Sequence, residues 1–309
     1  MTRAGRACTF KTMPSKVVLI RGRGARPEPG RTDEAVVGRM LERGLRLLTG
    51  RTTAAEAVRA VFSPSDRVGL KINGLAGPSL TTPPGVSLPL ARLLVRGGLA
   101  ARNIAVWDRT NREMREAGYK LNIEGGEFRV CGTDTAGLGY ENEPLVHRNI
   151  GSLFSRIQTG FVTASVSLAV LKDHGLAGVT AGMKNYLGAV HNPNKYHDTN
   201  CDPYIAELFE TTPVKARHRL TILDALTVQY HRGPSYHSRW AERAETFILS
   251  LDPVAADAAG WRLIESLRRA KGLPTLAEEE RAPAYLQTAE RLGLGRAGTA
   301  DIQVVEDEV

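Results

Sequence analysis

The sequence predicts an α/β fold, a mostly parallel sheet with helices on both faces, built as one unit over residues 1–309 or as two intimate lobes. Three observations predict it. Short apolar runs alternate with amphipathic stretches along nearly the whole chain, the pattern of repeated strand and helix units. The 309 residues, 42% hydrophobic and 24% charged, suffice to bury a core between two layers of helices. Polar side chains recur where predicted strands end, the edge on which such sheets bind ligands.

The elements follow in order. KVVLIRG (16–22) reads as a strand, and the loop RGARPEPG leads to an amphipathic helix over 33–48. TTAAEAVRAVF gives a second helix, capped by Thr52 or Thr53. DRVGLKIN (66–73) is a strand, VSLPLARLLVRGGL a helix, NIAVWD (103–108) a strand, TNREMREAGY a short helix and FRVCG (128–132) a strand. FVTASVSLAVL (161–171) is apolar enough for a strand buried on both faces. The helix DPYIAELFE and the strand RLTILDAL (219–226) follow a dense polar segment. The tail adds strand TFILS, helix PVAADAAGWRLIESLRRA, a Glu-rich helix and the strand DIQVVED. The segment 137–160 is where two lobes, 1–136 and 161–309, would join. Asp252 before Pro253 is a helix N-cap with proline at the first helical position, and Asp202 before Pro203 reads likewise.

Composition excludes several functions. No window approaches the roughly 18 uninterrupted apolar residues of a membrane span, and the basic first twenty residues lack a secretory core, so a cytoplasmic protein is expected. Cys8, Cys131 and Cys201 are odd in number and far apart, which provides no disulfide framework and no intrinsic iron–sulfur cluster. The net charge of +8 comes largely from arginines scattered over helices, which speaks against nucleic acid and for small anionic partners. GRGARPEPG places Pro27 where a dinucleotide fingerprint needs its third glycine, so no classical NAD site is expected. No P-loop, G-x-S-x-G or H-E-x-x-H motif occurs.

What remains is a set of strand-end groups: Lys71 and Asn73, Asp108, then Lys172, Asp173 and His174, Asp224, and Asp252. Several converging on one sheet edge would form an active-site rim. In LKDHGLAGVTAGMKNYLGAVHNPNKYHDTNCDP (171–203), Gly178, Gly182 and Gly188 permit close backbone approach, and Lys184 with Asn185 sits in an apolar turn. A lysine there either neutralises a bound carboxylate or phosphate or, with lowered pKa, acts as a base. His174, His191 and His197, with Asp198 or Asp202, offer ligands for a divalent metal, acid/base groups, or hydrogen-bonded structural histidines. His147, His218 and His237 read as surface residues, and His231 as a group that closes over the pocket. An acid between alanines, Asp257, suggests a helix face pressed against something polar.

LKDHGLAGVTAGMKNYLGAV, the later YH, TILDAL with a downstream RGP, and LSLDPVAADAAG resemble the family of domain of unknown function 362. Its members carry a Lys-x-His, a Thr-x-x-x-Lys-Asn-x-x-Gly, a strand-ending Asp, a Gly-Pro and an Asp-Pro-Val-Ala-x-Asp in that order. With the early KIN and the late GLGRA the resemblance covers about residues 66–305. It implies site roles for Lys172, His174, Thr180, Lys184, Asn185, His197, Asp224 and Asp257. Some relatives add ferredoxin-like modules, whose cysteines this chain lacks, and Asp173 stands where relatives more often have a small polar residue.

The expectation is an enzyme acting on a small anionic metabolite by acid/base or metal-assisted chemistry. Lys71, Lys172 and Lys184 would hold the anion, Asn73 and Asn185 would orient it, Thr180 and Asp257 would also contact the substrate, and His174 or His197 would move a proton, with Asp224 or Asp257 fixing the tautomer. The metal variant uses His174, His197 and Asp202. The alternative is a non-catalytic ligand-binding or redox accessory protein working with an external iron–sulfur partner. The sequence leaves the oligomeric state open.

Overall fold

The structure, a computed structural model, describes residues 13–26, 28 and 30–309. Cys8, most of the basic leader and Pro27 lie outside the described residues. The described strands are β1 (Ser15–Arg21), β2 (Val68–Lys71), β3 (Ile104–Asp108), β4 (Arg129–Gly132), β5 (Leu145–His147), β6 (Ile150–Ser152), β7 (Ala164–His174), β8 (Gly178–Thr180), β9 (His218–Gln229), β10 (Ala241–Glu242), β11 (Thr246–Ser250) and β12 (Ile302–Glu308). The helices are α1 (Glu34–Thr49), α2 (Ala54–Arg59), α3 (Pro84–Arg96), α4 (Asn111–Glu116), α5 (Gly182–Asn185), α6 (Tyr204–Glu210), α7 (Thr212–Lys215), α8 (Pro253–Ala270) and α9 (Tyr285–Arg291).

One sheet runs in the order β12-β1-β11-β9-β7-β2-β3-β4, with β8 paired to β7 and β10 to β9. The five neighbours β9, β7, β2, β3 and β4 are parallel, β11 is antiparallel to both its neighbours, and β12 is parallel to β1. Strands from either side of 137–160 therefore share one sheet, and that segment contributes the separate hairpin β5–β6.

The mostly parallel sheet follows from its central strand. All eleven residues of β7 are buried. Such a strand must be covered on both faces, because an open parallel face would leave its aliphatic side chains in water at about 1.5–3 kcal/mol each. One face packs under α1, α2 and α3 through residues such as Val37, Leu41, Val58 and Leu90, and the other under α6, α8 and α9 through Ile205, Val254 and Leu286.

Local chemistry fixes the helix ends. Asp33 accepts from the amides of Ala35 and Val36, and Gly50 at φ 67° closes α1 in the left-handed conformation. Thr53 and Glu56 form a capping box on α2, and Asp252 caps α8 ahead of Pro253. Asp202 does not cap α6. That helix starts at Tyr204 with Pro203 at the cap position and no side-chain cap, while Asp202 Oδ1 is buried without a partner. The sharp return from β7 to β8 needs Gly178, at φ 74°, where a Cβ would lie 2.3 Å from the Arg281 carbonyl oxygen.

Candidate active site

Because β2, β3 and β7 are parallel neighbours, their carboxyl ends deliver Lys71, Asp108 and Lys172 to one edge of the sheet. Strand β7 continues to His174, and the segment after β8 folds back over that edge through α5. The result is a cavity of about 230 Å³ lined by Lys71, Asn73, Asp108, Lys172, His174, Thr180, Lys184, Asn185 and His197. A space of that size is smaller than the usual drug-sized pocket and suits a small metabolite.

One side of the cavity is internally neutralised. Lys71 Nζ donates to Asp108 Oδ1 at 2.5 Å, to the Ile72 carbonyl at 2.8 Å and to Asn185 Oδ1 at 3.2 Å, so its three donors are used. Asp108 also accepts from the amides of Gly74 and Arg109. Asn185 donates to the Lys71 carbonyl and to Ser167 Oγ. Arg109 pairs with Glu113 at 2.6 Å. Gly188 is required beside this group, since a Cβ there would stand 2.8 Å from Lys71 Nζ.

The other side is not neutralised. Lys172, only 1% exposed, donates to the Leu75 carbonyl at 2.8 Å and to Asn73 Oδ1 at 3.2 Å, both uncharged. Burial, reinforced by the nearby Lys184 charge, pushes its ammonium down to about 7, against the pull of Asp108. Burial likewise brings Lys184 down to about 8. Lys184 Nζ lies 3.1 Å from His197 Nε2, whose ring also faces the Pro193 carbonyl through Nδ1 at 3.1 Å. That carbonyl can only accept, so His197 carries its proton on Nδ1 and accepts from Lys184 at Nε2.

His174 is fixed the opposite way. Its Nδ1 accepts from the amides of Leu176 and Ala177, which places the ring proton on Nε2. Burial first, then Lys184, His197 and Lys172, push its pKa down to about 2, so the ring is neutral and offers a donor. The two imidazoles lie side by side, 5.5 Å between centroids and tilted by 35°.

Of the residues singled out in the sequence, Lys71, Asn73, Lys172, His174, Thr180, Lys184, Asn185 and His197 line this cavity. Asp257 and Asp224 are not among its lining residues. Asp257 accepts from the Gly182 and Met183 amides and the Tyr285 hydroxyl, anchoring the start of α5 from below, and burial raises its pKa to about 7. Asp224 alternates along β9 with Leu223 and Ala225 of the α8 side, so it faces the α1 and α3 side, where burial raises its pKa against the field of Arg26. Asp173, alternating with Lys172 and His174, turns away to Arg281 at 2.9 Å.

Other expectations are corrected. His174, His197 and Asp202 form no metal-ligand set, and no group of three or more His, Cys, Asp or Glu among the described residues does. The reason is local: the Nδ1 atoms of both histidines and Nε2 of His197 are hydrogen-bonded, and Asp202 is not on the cavity wall. His218 is not a surface group but bonds Tyr186 and Thr221 and packs on Phe209. His231 does not close the cavity; it bonds Arg268 and packs on Trp240. Arg109 and Glu113 escaped the sequence reading, although a charge pair at i, i+4 directly after strand-ending Asp108 was a readable signal. No helix among the described residues is long and apolar enough to cross a membrane.

Comparison with known proteins gives a family match, "Domain of unknown function (DUF362)", over residues 68–262. No curated protein matches the chain. Among solved structures, the lactate racemase apoprotein from Thermoanaerobacterium thermosaccharolyticum superposes with a TM-score of 0.43 and 11% identity, over 80% of this chain and 57% of that one. A protein from Thermotoga maritima gives 0.36 and 11%, over 66% and 53%. This chain thus spans little more than half the length of either.

Proposed function

The chain belongs to the DUF362 family, and from that premise and its cavity we propose that it is an enzyme that binds a small carboxylate- or phosphate-bearing metabolite and moves a proton on it. One observation carries this reading: Lys172 and Lys184 share an enclosed space in which their own partners are uncharged. Two ammonium groups so placed raise each other's energy, and a guest of opposite sign relieves it. Lys184 and the Nε2–H of His174 take the anionic group, with Thr180 at the wall. Lys172, titrating near neutrality, accepts and returns the proton. Lys71 and Asp108 hold the opposite wall rigid.

Isothermal titration of the full chain with phosphate and with acetate, in two buffers of different ionisation heat, tests the site. An entering anion favours the charged lysines, so binding near pH 7.5 takes up protons, and Lys184→Met weakens it about tenfold or more. Binding without proton uptake, or indifferent to Lys184→Met, would sink the reading. Incubation of small carboxylic acids with the protein in heavy water then separates an enzyme from a binding protein. An enzyme exchanges the hydrogen beside the carboxylate and loses this in Lys172→Met, whereas a binding protein binds without exchange.

A further inference from the structure

The hydrogen bonds around Lys172 Nζ define a geometry that Lys71 lacks. Lys71 meets three acceptors, one of them a carboxylate, which is the environment of an ammonium. Lys172 meets two, the Leu75 carbonyl and Asn73 Oδ1. A neutral amine has two N–H donors and one lone pair. Two acceptors use both donors, and the direction left without a protein partner belongs to the lone pair, at a side chain that lines the cavity. A lysine desolvated next to a second cation is the arrangement in which an amine becomes nucleophilic.

Resting on the anion site described above, but with Lys172 bonding covalently rather than acting as a free base, we propose that Lys172 is a nucleophile that forms an imine with a small 2-oxo acid whose carboxylate lies against Lys184 and His174. The Nζ lone pair bonds to the carbonyl carbon while the C=O π pair moves to oxygen. One amine proton and one solvent proton leave with that oxygen as water, and the iminium keeps the other amine proton and the positive charge. The iminium then withdraws electrons from the neighbouring carbon, which makes its proton easier to remove. A 2-oxo acid fits because its carbonyl and carboxylate are adjacent carbons and the smallest members fit a space of about 230 Å³.

The test uses the full chain with pyruvate or glyoxylate and sodium cyanoborohydride at pH 7, read by intact mass and peptide mapping. One reduced adduct per chain, on the peptide carrying Lys172 and in competition with phosphate, is the expected result. Mapping the unmodified chain requires no variant. Lys172→Arg, which keeps the charge and cannot form an imine, should give no adduct while its circular dichroism stays native. Lys184→Gln should raise the pyruvate concentration for half-trapping about tenfold. An adduct on Lys184, or spread over surface lysines, overturns the proposal. So does pyruvate that binds by titration yet is never trapped, an outcome that leaves the anion site standing. Absence of binding by pyruvate, phosphate and acetate alike removes both.

Discussion

Lys71 and Lys172 lie toward the carboxyl ends of neighbouring parallel strands, are each 1% exposed and line the same cavity, yet they are chemically opposite. Lys71 has Asp108 at 2.5 Å and spends every donor on the protein. Lys172 has only neutral acceptors and a like charge nearby, and its proton is loosened to about 7. Burial is the same for both, so burial does not decide which lysine is poised to give up its proton. The counter-charge decides it. A cation is available even to the neighbouring Asp173, which is paired with Arg281, so the missing carboxylate on the cavity side is a local property of the site.

The largest effect is expected from breaking the neutralised side. Asp108→Asn leaves a buried ammonium unpaired and removes an ionic acceptor from the Gly74 and Arg109 amides. A loss of about 3–5 kcal/mol in urea unfolding is expected, because removing one partner of a buried pair exposes the full desolvation of the other. Lys71→Met combined with Asp108→Leu should recover most of that loss. If Asp108→Asn alone is nearly neutral, Lys71 is not the ammonium described here.

A smaller change is expected from Lys184→Met, which removes the neighbouring cation rather than a partner. Phosphate binding should weaken about tenfold, near 1.4 kcal/mol, while Lys172 titrates higher because a repelling charge is gone. Nitrogen-detected NMR of the lysine side chains reads both. Unchanged Lys172 titration would show that the two ammonium groups do not sense one another.

The same contrast appears in the pH dependence of stability. Lys172 is depressed from 10.5 to about 7 on folding, so between those values the unfolded chain holds a proton that the native one has lost. Stability therefore rises with pH from about 7 to 10.5, and Lys184 adds to the upper part of that limb from about 8. Asp257 acts in reverse: raised from 3.8 to about 7, it contributes stability that is full below 3.8 and lost as pH rises through 7. Over pH 4–6.5 that fall is opposed by His174, depressed to about 2, and His218, depressed to about 3, which are protonated there only in the unfolded chain, so urea midpoints should rise across pH 4–6.5 and again from about 7 to 10. Asp257→Asn should steepen the rise between pH 4 and 6.5, and saturating phosphate should flatten the one above pH 7.

The fold was readable because its signal is periodic: β7, β11, α1 and α8 fall within a few residues of their expected bounds. The cavity proposed as the site was readable where strand ends line it, at Lys71, Asp108, Lys172 and His174. What the sequence hid depends on which face a residue takes and on who sits opposite. Asp224 ends an apolar run as Asp108 does, but its register turns it toward Arg26. Asp257 looked like a site acid and instead holds the backbone of α5. Nor does any local pattern show that Lys71 is compensated and Lys172 is not, since Asp108 is 37 residues from the first.

The smallest change should be the most informative, because it gives Lys172 what Lys71 already has. In Asn73→Asp the atom now 3.2 Å from Lys172 Nζ becomes a carboxylate oxygen with almost no change in volume. The new charge favours the ammonium, so Lys172 should titrate about one unit higher, near 1.4 kcal/mol. The basic limb of the stability curve then begins at higher pH and shortens. Phosphate affinity falls as well, since the excess positive charge that attracts an anion is partly cancelled. The protein should remain folded, because the substitution adds a partner where the cavity lacks one. If instead the limb stays where it is, or stability drops as for an unpaired acid, then Lys172 is already compensated by a group other than Asn73, and the distinction between the two lysines fails.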